Sequence, residues 1–319
     1  MMLSRKNKLR VMKIVSLFSV VRGYNIPIII LAQYLSAIFI LAPDKSALSI
    51  LLDYRLFIVV FASSIAIASG YIINSFYDSK KDLINRPNKS MLDRLVSQKT
   101  KLQVYFVLNF IAVLFALLVS WRACLFFAVY IFMIWLYSHK RKKYALFGNF
   151  IAAFLAIFPF FGILLYYYFK LPLHEIENHS NDLAVTFTHA TFLFILLLVR
   201  EMIKDLENIK GDLANGYETI PIAFGENTSK MSITALLILT TIPVYFLITV
   251  FDVGYMDIYF YVGFIIMIFF GLRLWKSSSR EHYLQLHNVL KFLIVAGVFS
   301  IVLIDPTVLW HGKKLLQTI

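Results

Sequence analysis

Apolar residues fill nine blocks of this chain, each long enough to cross a bilayer core: roughly 16–42, 54–77, 102–120, 121–138, 145–169, 183–203, 231–251, 255–274 and 288–310. The third and fourth blocks are fused without a polar break, so the number of crossings is about nine. Blocks of this length predict helices, because a spanning segment must satisfy its backbone hydrogen bonds internally. The expectation is an all-α, polytopic membrane helical bundle forming a single domain over residues 1–319. No interval between the blocks is long enough for a separate soluble domain, and no tandem repeat is present.

Polar residues break this pattern most informatively at two block ends. From Gly70 to Lys89, Asn74, Asp78 and Asp82 recur every four residues, which on a helix places their oxygens on one face over two turns. In the second, from Arg200 to Asp212, Glu201, Asp205, Asn208 and Asp212 follow at intervals of four, three and four and again share a face. Acids at an interface are often no more than solvated helix ends. Two stripes, each closing its own apolar block, instead predict a site for a divalent cation between them.

Composition agrees with a membrane protein: 60% of residues are hydrophobic and 15% charged. The excess of 31 Lys and Arg over 18 Asp and Glu lies in intervals between apolar blocks, which points to topology and anionic membrane lipid rather than nucleic acid. The basic groups cluster in the N-terminal arm (Arg5, Lys6, Lys8, Arg10, Lys13), between Lys80 and Lys101, at Lys140 to Lys143, between Arg200 and Lys230, and between Arg273 and Lys291. Those five places hold 24 of the 31, all on one side of the bundle. The other side has Lys45, Arg55, Arg122, Lys170, Lys313 and Lys314, so the N-terminus is expected in the cytoplasm and the C-terminus outside, in the cell inner membrane. Both acidic stripes fall on the cytoplasmic face.

Arg22 and Asn25 lie inside the first block. Arg22 either snorkels to lipid phosphate or faces the interior to meet an anion. His174, Glu175, Glu177, His179 and Asp182 are irregularly spaced on the opposite side and read as a solvated loop; His189 and His311 are left unassigned. The one cysteine, Cys124, excludes a disulfide framework and any multi-cysteine metal site, and reads as a buried small hydrophobe. The basic start lacks a small-residue cleavage pattern, so no removable signal peptide is expected. Gly-rich phosphate loops, nucleophile elbows and paired His-Glu helix signatures are missing, which leaves nucleotide hydrolysis, serine acyl transfer and zinc proteolysis without support.

Carboxylates and Asn amides suit Mg²⁺, which is often completed by substrate phosphate. Asp78, Asp82, Glu201, Asp205 and Asp212 would repel a diphosphate unless about two such ions intervened, with Arg22, Arg86, Lys89 and Lys204 as counter-charges. Were the diphosphate carried by a long isoprenoid, the ionising allylic carbon would need shelter from water; Tyr71, Phe76, Tyr77 and Tyr137 supply aromatic faces.

At these residues the chain resembles the UbiA superfamily of membrane prenyltransferases. The likeness lies in Asn74-x-x-x-Asp78-x-x-x-Asp82 with its tail Asn85-Arg86-Pro87, and in Arg200-Glu201-x-x-Lys204-Asp205-x-Glu207-Asn208-x-x-Gly211-Asp212. Lesser matches are Arg22 with Asn25, Leu136-Tyr137-Ser138, Gly148-Asn149, and Thr219-Ile220-Pro221 through Gly225. The resemblance implies helices around a central cavity, Mg²⁺ on the two motifs, and transfer of a prenyl group from its diphosphate. By it Asp78, Asp82, Asp205 and Asp212 are catalytic metal ligands, with Asn74, Glu201 and Asn208 beside them, and Arg22, Asn25, Arg86, Lys89, Tyr137 and Lys204 bind substrate. Asn208 stands where the family generally has an aspartate. Within the family the motifs look most like geranylgeranylglycerol-phosphate geranylgeranyltransferases, which use a lipid-phosphate acceptor; prenylation of an aromatic quinone precursor is the close alternative. A cation-coupled transporter using the same acids is the alternative of another class, and it expects ionisable groups near mid-membrane rather than at one mouth.

Overall fold

The computed structural model describes residues 5–140, 144–170 and 180–305. Eight helices among these residues are long and apolar enough to span a bilayer, and a shorter apolar segment, Ile26–Leu41, comes before the first of them, Tyr54–Tyr77. The first block differs most from expectation. Its residues divide into α1 (Arg5–Val20) and α2 (Ile26–Ser36), the latter extended by a π-helical turn, Ala37–Leu41. The break falls at Arg22, whose φ of 49° lies in the left-handed region that costs a non-glycine residue on the order of 1 kcal/mol. Pro27 then sits in the first turn of α2, where its missing N–H is harmless.

After α3 (Ala47–Leu51), Asp53 caps α4 (Tyr54–Tyr77) by accepting from the N–H groups of Arg55 and Leu56. Two short helices, α5 (Ser79–Asn85) and α6 (Pro87–Asp93), lead to α7 (Gln98–Val119) and α8 (Trp121–His139). Ser120 ends α7 in an extended conformation and caps α8 through the N–H of Ala123, which separates the fused third and fourth blocks. Helix α1 is tied to α6: Ser16 Oγ donates to the Leu92 carbonyl and Ser19 Oγ to Asp93, each at 2.8 Å.

The second half contains α9 (Phe147–Tyr168), α10 (Ser180–Ala214), α11 (Ile220–Phe224), α12 (Glu226–Leu239), α13 (Thr241–Thr249), α14 (Asp257–Trp275) and α15 (Arg280–Ser300). Pro159 lies inside α9 and cannot donate to the carbonyl of Leu155. The fully buried Tyr130 hydroxyl donates to that carbonyl at 3.1 Å instead. Gln33 of α2 binds the Pro159 carbonyl and Ser63 of α4 at the same depth, so three helices meet at one kink.

The buried core joins α2, α4, α7, α8, α10 and α15, while the outer faces of α7, α12, α13 and α14 expose Phe, Leu and Ile to lipid. Several basic residues lie elsewhere than expected. Arg200, Lys204 and Lys210 belong to α10, which runs on to Ala214 instead of ending near 203. Lys291 is three turns inside α15 rather than at its approach. Cys124 is only partly buried on α8. Arg141 to Lys143, the cluster from His174 to His179, and His311, Lys313 and Lys314 fall outside the described residues, as does the Asp182 side chain.

Candidate active site

The period of four in the first stripe becomes a continuous structure. The N–H of Asp78 bonds the Asn74 carbonyl at 2.9 Å, that of Asp82 the Asp78 carbonyl at 2.8 Å, and that of Arg86 the Asp82 carbonyl at 2.7 Å. The ladder therefore passes from α4 into α5 through a bend at Asp78, keeping Asn74, Asp78 and Asp82 on one face. Arg86, which precedes Pro87, leaves the helical region at φ −143° and ψ 64°.

The second stripe lies wholly within α10. That helix ends in a left-handed Gly216 (φ 68°), with the N–H of Tyr217 bonding the Asp212 carbonyl and the N–H of Gly216 the Leu213 carbonyl. This is the hydrogen-bond pair of a Schellman cap, which reverses the chain. The reversal carries Tyr217 back beneath its own helix, where its hydroxyl donates to Asp78 at 3.0 Å.

The two stripes confront each other. Lys81 of α5 reaches Asp212 at 2.8 Å and lies 4.3 Å from the Tyr217 ring centroid, with Asp78 and Asp205 among its charged neighbours. Burial opposes its positive charge, but Asp78 and Asp212 outweigh burial and hold the Lys81 ammonium above its ordinary pKa. Asp82 is raised, first by burial and then by the charge of Asp78. Tyr217 is raised by burial and by Asp78, so the phenol stays protonated and donates. Asn149 at the start of α9 donates to Asp205 at 2.7 Å. One contact fixes the spacing: Asn85 Oδ1 accepts from the N–H of Gly211 at 3.0 Å, and a Cβ on Gly211 would lie 2.4 Å from the Asn85 amide atoms.

Cations and aromatic rings rim this mouth. The break after α1 turns Arg22 inward, 5.0 Å from the Tyr71 ring centroid, and Asn25 bonds the Tyr71 hydroxyl at 3.4 Å. Arg22 and Arg86 are among the charged neighbours of both Asp82 and Lys89. Lys89 pairs with Asp93 at 3.9 Å and is lowered by burial and then by Arg22. Tyr137 of α8 faces the charges of Glu201, Asp205 and Asp78. Two candidates are engaged within their own helix: Lys204 binds Glu201, with Arg200 4.0 Å from the same carboxylate. Tyr77 packs edge-on against Phe76 and 5.1 Å from the His139 ring.

Lys81, Tyr217, Asn85 and the Glu207–His287 pair were not singled out in sequence. Lys81 follows Asp78 by three residues, a helical neighbour spacing that was the one available signal. The others depend on a turn or on a helix distant in sequence.

Among the described residues no three Asp, Glu, His or Cys side chains converge at metal-binding distance; Lys81 stands between the acids instead. The donor set nevertheless fits a hard divalent cation. It consists of carboxylate oxygens together with Asn208 Oδ1, a buried amide oxygen without a hydrogen-bond partner, whose amide nitrogen is held by the Lys204 carbonyl at 2.7 Å. An amide oxygen stands at the place where the family generally has an aspartate.

The fold is that of an integral membrane helical bundle that gathers two facing acid stripes, paired with cations, at one mouth. The family model of the UbiA prenyltransferase family matches residues 30–293, and the chain belongs to that family. It is a prenyltransferase. Curated relatives include a digeranylgeranylglyceryl phosphate synthase of Thermococcus sibiricus, 29% identical over 82% of this chain and 86% of the relative. Another, from Methanobrevibacter smithii, is 26% identical over 88% of this chain and 97% of its own length. Among solved structures, one described as giving insight into digeranylgeranylglyceryl phosphate synthase in membranes superposes with a TM-score of 0.66, covering 92% of this chain and 99% of that one at 20% identity. A UbiA homolog from Archaeoglobus fulgidus bound to GPP and Mg²⁺ gives 0.61, over 90% and 99%, at 13% identity.

Proposed function

We propose that the chain transfers a geranylgeranyl group from its diphosphate to the free hydroxyl of geranylgeranylglycerol phosphate, forming the second ether of a dialkyl glycerol phosphate. The observation that carries this reading is the meeting of the two acid stripes, with Lys81 on Asp212 and Tyr217 on Asp78, at a mouth rimmed by Arg22, Arg86 and Lys89. The names of the relatives support the acceptor.

In this reading Asp78, Asp82, Asp205 and Asp212 hold Mg²⁺, with Asn74 and the Asn208 amide oxygen as neutral donors and Glu201 adjacent. The bound ions supply charge that binds the diphosphate and stabilises it as a leaving group. Arg22, Arg86 and Lys89 hold its outer oxygens and orient the prenyl carbon toward the cavity, as charge-assisted donors do for phosphate. Tyr71, under the Arg22 guanidinium, and Tyr137, facing the acids, border the reacting carbon and keep water away. The carbon–oxygen bond to diphosphate breaks, the acceptor hydroxyl oxygen forms the new ether bond, and its proton leaves with the diphosphate. Asn149 fixes the Asp205 carboxylate, and Lys81 holds Asp212 until the substrate complex forms.

The mouth lies in the cytoplasm with the N-terminus in this reading, as the basic intervals support. The test is incubation of purified protein with geranylgeranyl diphosphate, Mg²⁺ and separate acceptors: geranylgeranylglycerol phosphate, dihydroxynaphthoate, hydroxybenzoate and homogentisate. Mass spectrometry is expected to find an EDTA-sensitive ether with the first alone. A prenylated aromatic product without the ether would overturn the acceptor assignment.

A further inference from the structure

The facing sides of α10 and α15 carry a second polar cluster that the acid stripes do not use. Glu207, almost fully buried, receives His287 at 2.8 Å, Arg86 at 3.4 Å and Arg280 at 3.9 Å. Arg280 also donates to the Asn85 carbonyl at 2.7 Å. Seven residues earlier on α10 comes Arg200, and four residues later on α15 than His287 comes Lys291; both spacings return to the same helix face. The two helices pack against one another, and Lys291 has Arg200, Arg86, Glu207 and Arg22 as its charged neighbours. His287 in turn has Lys291 and Arg200 as charged neighbours.

The charges in this cluster do not balance. Lys291 has three cations, Arg200, Arg86 and Arg22, among its charged neighbours against one carboxylate, Glu207, which Arg280 and His287 already share. Glu201, 4.0 Å from Arg200, divides its charge between Arg200 and Lys204. Among the described residues Lys291 has no ion pair, and the buried Arg200 Nε and His287 Nε2 have no hydrogen-bond partner. Lys291 is solvent-accessible although it lies eleven residues into α15, roughly 16 Å along the axis. Cations at that depth of a spanning helix are costly unless they face an internal cavity and meet an anion.

We propose that Arg200 and Lys291 form a second anion seat, separate from the diphosphate mouth, that binds the phosphomonoester of the acceptor. Arg200 offers a planar fork and Lys291 a point charge, a pairing suited to the two charges and three oxygens of a phosphate monoester. Glu207 is the positioning residue: it occupies the Nδ1–H of His287, whose other nitrogen then has no proton to give an anion, and by holding Arg86 it joins the seat to the diphosphate side. The seat lies up the helix from Asp205 and Asp212, so an acceptor anchored by its phosphate would leave its hydroxyl between the two anions. The dephosphorylated acceptor has no use for this charge.

This inference rests on the acceptor proposed above, and its test separates the two. Steady-state kinetics would compare the wild type with Lys291→Gln, Arg200→Gln and Lys291→Arg, using geranylgeranylglycerol phosphate and its dephosphorylated analogue. Lys291→Gln and Arg200→Gln are expected to raise KM for the phosphorylated acceptor about ten- to a hundredfold, as loss of a charge-assisted hydrogen bond does, with KM for geranylgeranyl diphosphate within twofold. The preference for phosphorylated over dephosphorylated acceptor is expected to shrink by the same factor, and Lys291→Arg to recover most of it. Unfolding midpoints within a few degrees of wild type would show that folding is not the cause. For a variant that does not fold, Lys291→Arg alone still decides, because a salt-dependent acceptor KM near the wild-type value supports the seat and one unaffected by salt overturns it. Wild-type ether formation with unchanged acceptor KM in both Gln variants, or an equal rise in both substrates' KM, overturns the seat alone. A wild type that prenylates only the aromatic acceptors overturns the acceptor reading and the seat together.

Discussion

Gly211→Ala is the most discriminating single perturbation of this molecule, because elementary propensity and the structure give it opposite signs. In an ordinary helix interior the change stabilises by about 1 kcal/mol. Here the new Cβ would lie 2.4 Å from both amide atoms of Asn85, which is buried against α10 and accepts from the Gly211 N–H. Overpacking of this kind costs roughly 1–3 kcal/mol. Displacing Asn85 leaves its amide without that partner, at a further cost of about 1–3 kcal/mol. Subtracting the gain in propensity leaves a net loss of roughly 1–5 kcal/mol. Since Arg86 follows Asn85 directly, KM for the prenyl diphosphate is expected to rise as well. Denaturant unfolding in detergent, with Mg²⁺-dependent turnover, measures both effects. Combining Asn85→Ala with Gly211→Ala removes the overlap, so the double variant is expected to be at least about 1 kcal/mol more stable than the sum of the single losses. A Gly211→Ala protein as stable as the wild type, with effects that simply add to those of Asn85→Ala, would refute the close approach.

Asp78→Ala and Asp212→Ala are each expected to abolish EDTA-sensitive turnover while leaving a monodisperse, helical protein by gel filtration and circular dichroism; wild-type rates in either would remove these acids from the chemistry. Lys81→Met takes the cation from Asp212 and is expected to cost about 3 kcal/mol without metal. Added Mg²⁺ should restore more of its melting temperature than in the wild type, and an identical Mg²⁺ response in both proteins would contradict this. At the opposite membrane face, burial raises the Asp53 carboxyl, but hydrogen bonds from Lys170 and Tyr166 outweigh it and hold it below its ordinary pKa. Its contribution is therefore complete above its unfolded pKa of about 4 and is lost as pH falls through the lower folded value. Asp53→Asn, which keeps the helix cap, should flatten stability against pH in that window; an unchanged acid limb would refute the assignment. Tyr130→Phe leaves the Leu155 carbonyl without its donor at the Pro159 kink and should cost about 1–3 kcal/mol in thermal unfolding, against no change if the kink is otherwise satisfied.

Much of this was legible because helical periodicity is a local property. Asn74, Asp78 and Asp82 share a face for the same reason that the apolar blocks form helices, and α10 carries its acids through uninterrupted turns. The chain break at Arg22 was hidden because apolar residues continue on both sides of it, and hydropathy does not register a positive φ. Tyr217 was hidden because it reaches Asp78 only after the reversal at Gly216. Glu207 was written into a recognised motif, yet its partners come from Arg86 and from α15, eighty residues away at His287. Contacts between distant helices leave no periodic trace. Lys81 was counted for topology and passed over for chemistry, although its spacing from Asp78 is helical.

The length of the apolar helices has a consequence for the surrounding lipid. The eleven residues of α2 and the five of its π-helical extension span at most about 24 Å, whereas the 22 residues of α7 span about 33 Å. A bilayer whose hydrocarbon is about 30 Å thick fits α7 closely and is too thick for α2. Of Ile26–Leu41 only Pro27 is exposed, so neighbouring helices rather than lipid cover most of the short segment. The thickness the protein asks of its surroundings is therefore set by the longer outward-facing helices such as α7, and turnover in vesicles should fall when the acyl chains are too short or too long for them.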